Sequence, residues 1–239
     1  MTMGHELLTF GEAAFDLHRP FCQLPQTLKK FFDESGIQTF GCKEVRLVVP
    51  SEQCVWIPKH LYDAAYDRQY LKMVTDVGGG VGVVHAYNEC VGAYMVFTAP
   101  AEVVTAFKVA IPGVEVMCQH SVLVDERLKE SSAQHPIVLM HVRERVGDFE
   151  AFYNKQLLLS NSYTATDEGE LVYRALEVMK GMHLETPDME LAICGEVGRE
   201  LYARLQRYFP NVTLYTGRSF SYSNPKFQTF HSYRHVLVL

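Results

Sequence analysis

The chain has 239 residues, 48% of them apolar and 21% charged, with a formal net charge of −6 and a pI near 5.9. This is the balance of a soluble globular protein, and its acidity excludes duplex nucleic acid, which demands concentrated Lys and Arg. No run approaches the roughly 20 apolar residues of a membrane span, and the opening "MTMGHELLTFGEAAF" lacks the cationic start and long apolar core of a signal peptide.

In chain order, "LPQTLKKFFDESG" reads as a helix: Pro25 suits its first turn, Leu24, Leu28, Phe31 and Phe32 make a face, and Gly36 supplies the stop. "VRLVVP" and "CVWIP" are short strands, after which Pro58 is expected to open a helix through Leu61, Tyr62 and Ala65. "GAYMVFTAP" reads as a strand that runs into a helix near Pro100, with Val103, Val104 and Phe107 on its buried side. "PG" at 112–113 ends that helix, and "VEVMCQ" returns as a strand. Trp56 and the aromatics Phe31, Phe32 and Phe40 read as core.

The second half is plainer. "IVLMHVRE", "GDFEAFYN" and "QLLLSNSY" are consecutive strands separated by very short turns, which makes them an antiparallel meander. "TDEGELVYRALEVMKGM" follows as a helix, with Leu171, Val172, Ala175, Leu176 and Met179 on one side. Asp167 and Glu170 are spaced like a capping box, and Gly181 marks the end. "MELAIC" is a strand, "EVGRELYARLQRYF" a helix with Val197, Leu201, Leu205 and Tyr208 in register, and "VTLY" a strand. The apolar end of "HSYRHVLVL" reads as one more strand, joining a sheet of its own chain or of another.

A meander that feeds helical crossovers builds a mixed sheet covered by helices on its faces. This is the ribonuclease H-like arrangement that actin-like ATPases use twice. The first half carries a reduced version, so the expected α/β architecture is two-lobed, with residues 1–135 and 136–239 as the lobes. The cysteines, at 22, 42, 54, 90, 118 and 194, include no CxxC pair, and Cys54, Cys118 and Cys194 fall in strand-like runs. Buried free thiols in a reducing cytoplasm are the reading.

The segments "VRLVVPSEQCVWIPKHLYD", "GAYMVFTAPAEVVTAF", "IVLMHVRERVGDFEAFYNKQLLLSNSY" and "LAICGEVGRELYARLQRYFPNV" carry a resemblance. Over residues 40–239 the chain resembles a Bacteroidetes family of unknown function with the fold of actin-like ATPases, near their pilus-assembly and cell-division relatives. The family's first strand pair is hard to find. The N-terminal hairpin is expected to be cut short, with "ELLTFGEAAF" as its remnant.

The resemblance implies where a nucleotide would sit. Actin-like ATPases hold ATP between two hairpins, whose acids position magnesium through waters and whose backbone N–H groups hold phosphate, and a Gly-rich adenosine loop. In the second hairpin here, His141 stands where the acid is expected and Arg143 where the first glycine is expected. The adenosine loop "ICGEVG" keeps Gly195 and replaces another glycine by Glu196. Two of the three elements fail by this comparison, so ATP hydrolysis is not expected.

"TDVGGG", residues 75–80, imitates a phosphate hairpin, with Asp76 ahead of Gly78, Gly79 and Gly80. No Ser or Thr follows the glycines, no partner hairpin is evident, and the stretch falls between a helix and a strand of the first half. A connection that uses the glycines' conformational freedom is the preferred reading. In "HVRERVGD", strand alternation puts His141, Arg143 and Arg145 on one side. A solvated strand edge is preferred there over a basic cleft face. No HExxH, GxSxG, Walker or GxGxxG pattern occurs, and the serines of "RSFSYSN" have no evident base.

The expected function is therefore a non-catalytic, cytoplasmic actin-like module that binds another protein and needs no cofactor. The alternative is an ATP-binding protein with an atypical site, which would use ATP and magnesium. A small hydrolase has no motif behind it.

Overall fold

Backbone pairing starts at Thr2–Met3 (β1), antiparallel to Glu6–Leu7 (β2), in the computed structural model, which describes residues 2–3, 6–7, 24–35, 44–78, 81–130, 135–182, 189–217 and 234–235. A first unit runs to Gln119 and a second starts at His120.

In the first unit, Leu24–Ser35 (α1) is the expected helix. Leu28 is buried, and Phe31 and Phe32 are half-buried with ring centroids 5.7 Å apart. Gly36 and Phe40 lie outside the described residues. Arg46–Val49 (β3) and Cys54–Pro58 (β4) form as expected. The helix expected after Pro58 is a correction. Two 3-10 turns, Lys59–Leu61 and Ala64–Tyr66, precede a short helix, Asp67–Lys72 (α2). Asp63 is the physical reason: its carboxylate accepts the Ala65 N–H at 2.9 Å and so starts a new turn. Tyr62 lies stacked on Tyr94 at 3.7 Å, while Leu61 is exposed.

Gly82–Asn88 (β5) and Ala93–Ala99 (β6) follow, then Ala101–Ala110 (α3), which packs against α1, and Glu115–Cys118 (β7). The strands β4, β6 and β5 make an antiparallel sheet in that order, and β3 pairs parallel with β7. Alternation along β6 sends Met95 and Phe97 to a core shared with Val49, Val116 and Cys118. Val96 goes to the other face, against Leu71 and Val77. Trp56 packs on the first of these cores.

The stretch at 75–80 connects α2 to β5. Arg68 donates to the Val81 carbonyl at 3.0 Å, Gln53 donates to the Asp76 carbonyl at 3.3 Å, and a Cβ on Gly78 would meet nothing within 4 Å. Gly79 and Gly80 are outside the described residues.

The second unit begins with a helix the sequence reading did not foresee, Gln119–Glu130 (α4). The meander is Ile137–Arg143 (β8), Val146–Tyr153 (β9) and Gln156–Thr164 (β10). Glu168–Gly181 (α5), Glu190–Gly195 (β11), Arg199–Tyr208 (α6) and Val212–Leu214 (β12) complete it. The sheet order is β10-β9-β8-β11-β12, antiparallel through the meander and parallel where β11 meets β8 and β12. Strand β8 is central, which explains the apolar run of residues 137–140 with which it begins. One face of the sheet, with Val138, Met140, Phe149 and Ile193, packs on Leu171, Ala175 and Met179 of α5 and on Leu201 and Leu205 of α6.

The α5 cap is a shifted capping box. Asp167 accepts the Glu170 N–H at 2.9 Å, while the Glu170 carboxylate reaches back to the Thr166 N–H at 2.7 Å. Cys118 and Cys194 are buried, Cys54 is half-buried and Cys90 exposed, all as free thiols; Cys22 and Cys42 lie outside the described residues. The strand expected at the C-terminal tail also lies outside them, apart from Arg234 and His235. Among the described residues, no helix is long and apolar enough to cross a membrane.

Candidate functional site

The second face of the sheet in the second unit is polar at its hairpin end. Because Val138, Met140 and Val142 point into the core with α5 and α6, His141 and Arg143 point the other way. On β9, Asp148 and Glu150 alternate with core residues Phe149 and Ala151. Register then lines the polar groups up across strands: His141 opposite Asp148, and Asp148 opposite Ser162. From above, α4 adds His120 at its first turn.

These side chains form one network. Asp148 Oδ1 accepts from Ser162 Oγ at 2.6 Å and from Arg143 Nη2 at 3.1 Å. Asp148 Oδ2 accepts from Arg143 Nε at 2.8 Å and from His141 Nδ1 at 3.1 Å. His120 Nε2 is 2.9 Å from Ser162 Oγ, and His120 Nδ1 is hydrogen-bonded to the Glu150 carboxylate. His120, Asp148 and Glu150 are fully buried and His141 nearly so. Burial alone would raise the Asp148 carboxyl. The hydrogen bonds from His141 and Arg143 and the neighbouring positive charge overcome it and hold the group well below the usual carboxylate range. Burial, reinforced by Asp148, pushes the nearby Cys194 thiol up, which keeps it neutral and unreactive.

Glu150, His120 and Ser162 follow the order of a hydrolase triad, acid to imidazole to hydroxyl. The serine proton, however, is directed at Asp148. A base at His120 has no proton to take from it, so Ser162 is not an activated nucleophile.

The loop after β11 closes on the same hairpin. Gly195 has φ +85°, and a Cβ there would sit 2.1 Å from the Val142 carbonyl oxygen and 2.9 Å from the His141 ring. The Glu196 N–H donates to the Val142 carbonyl at 2.7 Å, and the Glu196 carboxylate accepts the Glu144 N–H at 2.9 Å. Glu144, in the two-residue turn between β8 and β9, is itself at φ +48°.

All of the residues picked from sequence, His141, Arg143, Gly195 and Glu196, therefore converge on the β8–β9 hairpin. The solvated-edge reading of His141, Arg143 and Arg145 is corrected. With β11 on its far side, β8 is an interior strand; His141 is buried and Arg143 half-buried, while Arg145 lies exposed in the turn. Sequence reasoning missed Asp148, Glu150, Ser162 and His120. The readable signal was "GDFEAF", two acids spaced to share a face in a strand whose other residues are apolar. Nothing comparable marks His120. Among the described residues, no group of three or more His, Cys, Asp or Glu is placed to hold a metal ion.

No curated protein sequence matches the chain. Among solved structures it is similar to a protein from Bacteroides thetaiotaomicron VPI-5482 with an actin-like ATPase fold and unknown function. The TM-score is 0.70 at 20% identity, over 80% of this chain and 76% of that one. It is also similar to a chain of the PilM-PilN type IV pilus biogenesis complex, with TM-score 0.59 and 11% identity over 91% and 83% of the respective chains. The fold is thus that of the actin-like ATPases. A family profile for a protein of unknown function, DUF3822, matches residues 2–212, and the chain belongs to that family.

Proposed function

We propose that the chain is a non-catalytic actin-like module that works by binding another protein. The observation that carries this reading is the self-satisfied hairpin. Four donors from His141, Arg143 and Ser162 converge on the two oxygens of Asp148, which fills the lone-pair sites of a carboxylate. The Glu144 amide, at the turn where the resemblance assigns phosphate, is taken by the Glu196 carboxylate. An acid with no outward lone pair does not fit a hydrated magnesium ion, and a carboxylate at the turn repels phosphate. Gly195 is accounted for by its contact with β8, without an adenosine.

Further support is the fold relative found in a complex named for PilM and PilN. Buried free thiols at Cys118 and Cys194 agree with a reducing, cytoplasmic setting. The test is a melting curve with and without millimolar MgATP. A ligand at 100 times its Kd adds about 2.7 kcal/mol; no ATP-specific shift is expected. A clear shift would establish the alternative, an ATP-binding protein with an atypical site.

A further inference from the structure

Ser162 has one hydroxyl proton, and where it goes fixes the protonation of His120. Asp148, ionised against Arg143, can only accept, so the serine proton lies along the 2.6 Å contact to Asp148 Oδ1. The serine oxygen therefore faces His120 Nε2, at 2.9 Å, as an acceptor, and Nε2 must carry hydrogen. On the other side of the ring, the bond between Nδ1 and the Glu150 carboxylate needs a second hydrogen. A histidine, ordinarily titrating near pH 6.5, is a stronger base than a glutamate near 4.3. A second carboxylate, Asp148, lies 3.9 Å from Nε2 and favours positive charge on the ring.

We propose that His120 is a buried imidazolium, the internal cation that ties α4 to the sheet by bridging Glu150 directly and Asp148 through Ser162, and that this makes the seating of α4 sensitive to pH. The inference is independent of whether the hairpin binds nucleotide. The groups around the ring balance it. From β9 come the carboxylates of Asp148 and Glu150, from β8 the Arg143 guanidinium and the His141 imidazole, from β10 the Ser162 hydroxyl, and from β11 the Cys194 thiol beside Asp148. On α4 itself, Glu126 is buried further along the helix. With the second ring proton on His120, two carboxylates face two cations in this cluster. Without it, a fully buried carboxylate is left facing a bare ring nitrogen, which is strongly unfavourable.

The sign of the pH effect follows. Above about pH 6.5 an unfolded histidine has released its proton while the folded one keeps it. The unfolding constant should then rise with pH, by up to tenfold per unit, until the folded proton is also lost. Two measurements test this on the full chain. Long-range 15N–1H correlation spectra at pH 7.5 should show both ring nitrogens of His120 protonated; a neutral ring with one bare nitrogen overturns the proposal. In Glu150→Gln the ring should be neutral at the same pH, and the rise in the unfolding constant between pH 6.5 and 8.5 should flatten by up to tenfold per unit. A folded Glu150→Gln protein with the parent's slope also overturns it, and if that variant fails to fold, the wild-type spectrum decides.

Discussion

Arg143 and Asp148, five positions apart across the β8–β9 hairpin, are joined by two hydrogen bonds, Nε to Oδ2 at 2.8 Å and Nη2 to Oδ1 at 3.1 Å. The fork of a guanidinium matches the two oxygens of a carboxylate, so this pair fixes distance and orientation together. It pins the two ends of a turn only two residues long. Arg143→Met should leave Asp148 buried and short of its bidentate cation, at a cost of about 3 kcal/mol. Arg143→Lys should recover only part of that, because an ammonium cannot supply the fork. Urea denaturation measures both; a loss under about 1 kcal/mol for Met would mean that His120 and His141 suffice.

Acid should act through Asp148. Its folded carboxyl lies well below the unfolded value, because the hydrogen bonds from His141 and Arg143 and the nearby positive charge outweigh burial. A depressed carboxyl contributes stability above its unfolded pKa, about 3.9, and loses it as pH falls toward the folded value. The stability gap between the parent and Asp148→Asn should therefore be full at pH 6 and shrink steadily below about pH 4. A gap independent of pH down to pH 2 would contradict the ionised cluster.

Gly195 should tolerate no side chain. Its φ of +85° disfavours any L residue, and a Cβ would stand 2.1 Å from the Val142 carbonyl oxygen, a backbone atom of the adjoining strand. Gly195→Ala is expected to cost about 3 kcal/mol, from backbone strain and a forced shift of β11 away from β8. Circular dichroism melts would show it, and a change below about 1 kcal/mol would refute the close approach.

The clasp between Glu196 and the Glu144 N–H can be weighed separately. Glu196→Ala should cost about 1 kcal/mol, the net worth of one partly exposed hydrogen bond to a charged group. Glu144→Gly keeps that amide and relieves a residue at φ +48°, so it should leave stability within about 0.5 kcal/mol of the parent. If Glu196→Ala alone gained a phosphate-dependent rise in melting temperature, the carboxylate would be shown to occupy an anion's place.

Local chemistry was enough to expose most of the elements. The meander, α5, β11, α6 and β12 follow from runs whose period and turn residues agree with one another: "IVLM" in a strand covered on both faces, Asp167 with Glu170 at a helix start, and Leu201 with Leu205 on one helix side. Where the sequence misled, a single side chain reset the backbone, as Asp63 did between the 3-10 turns. Helix α4 went unseen because polar residues, His120, Ser121 and Glu126 among them, are buried beside Val122, Leu123 and Val124 and break the apolar stripe by which a helix is recognised.

The site divides along the same line. The sequence by itself put His141 and Arg143 on one strand face and set Gly195 and Glu196 at a strand end, since alternation and glycine's freedom are properties of neighbours along the chain. Only the tertiary structure decided what those residues meet. Register across β8, β9 and β10 set Asp148 between His141 and Ser162, and the packing of α4 brought His120 down onto Glu150, thirty positions away. Whether an arginine on a strand is a solvated edge or half of a buried ion pair depends on which strand lies beside it. Pairing between distant segments settles that, and the spacing of residues along one segment carries no record of it.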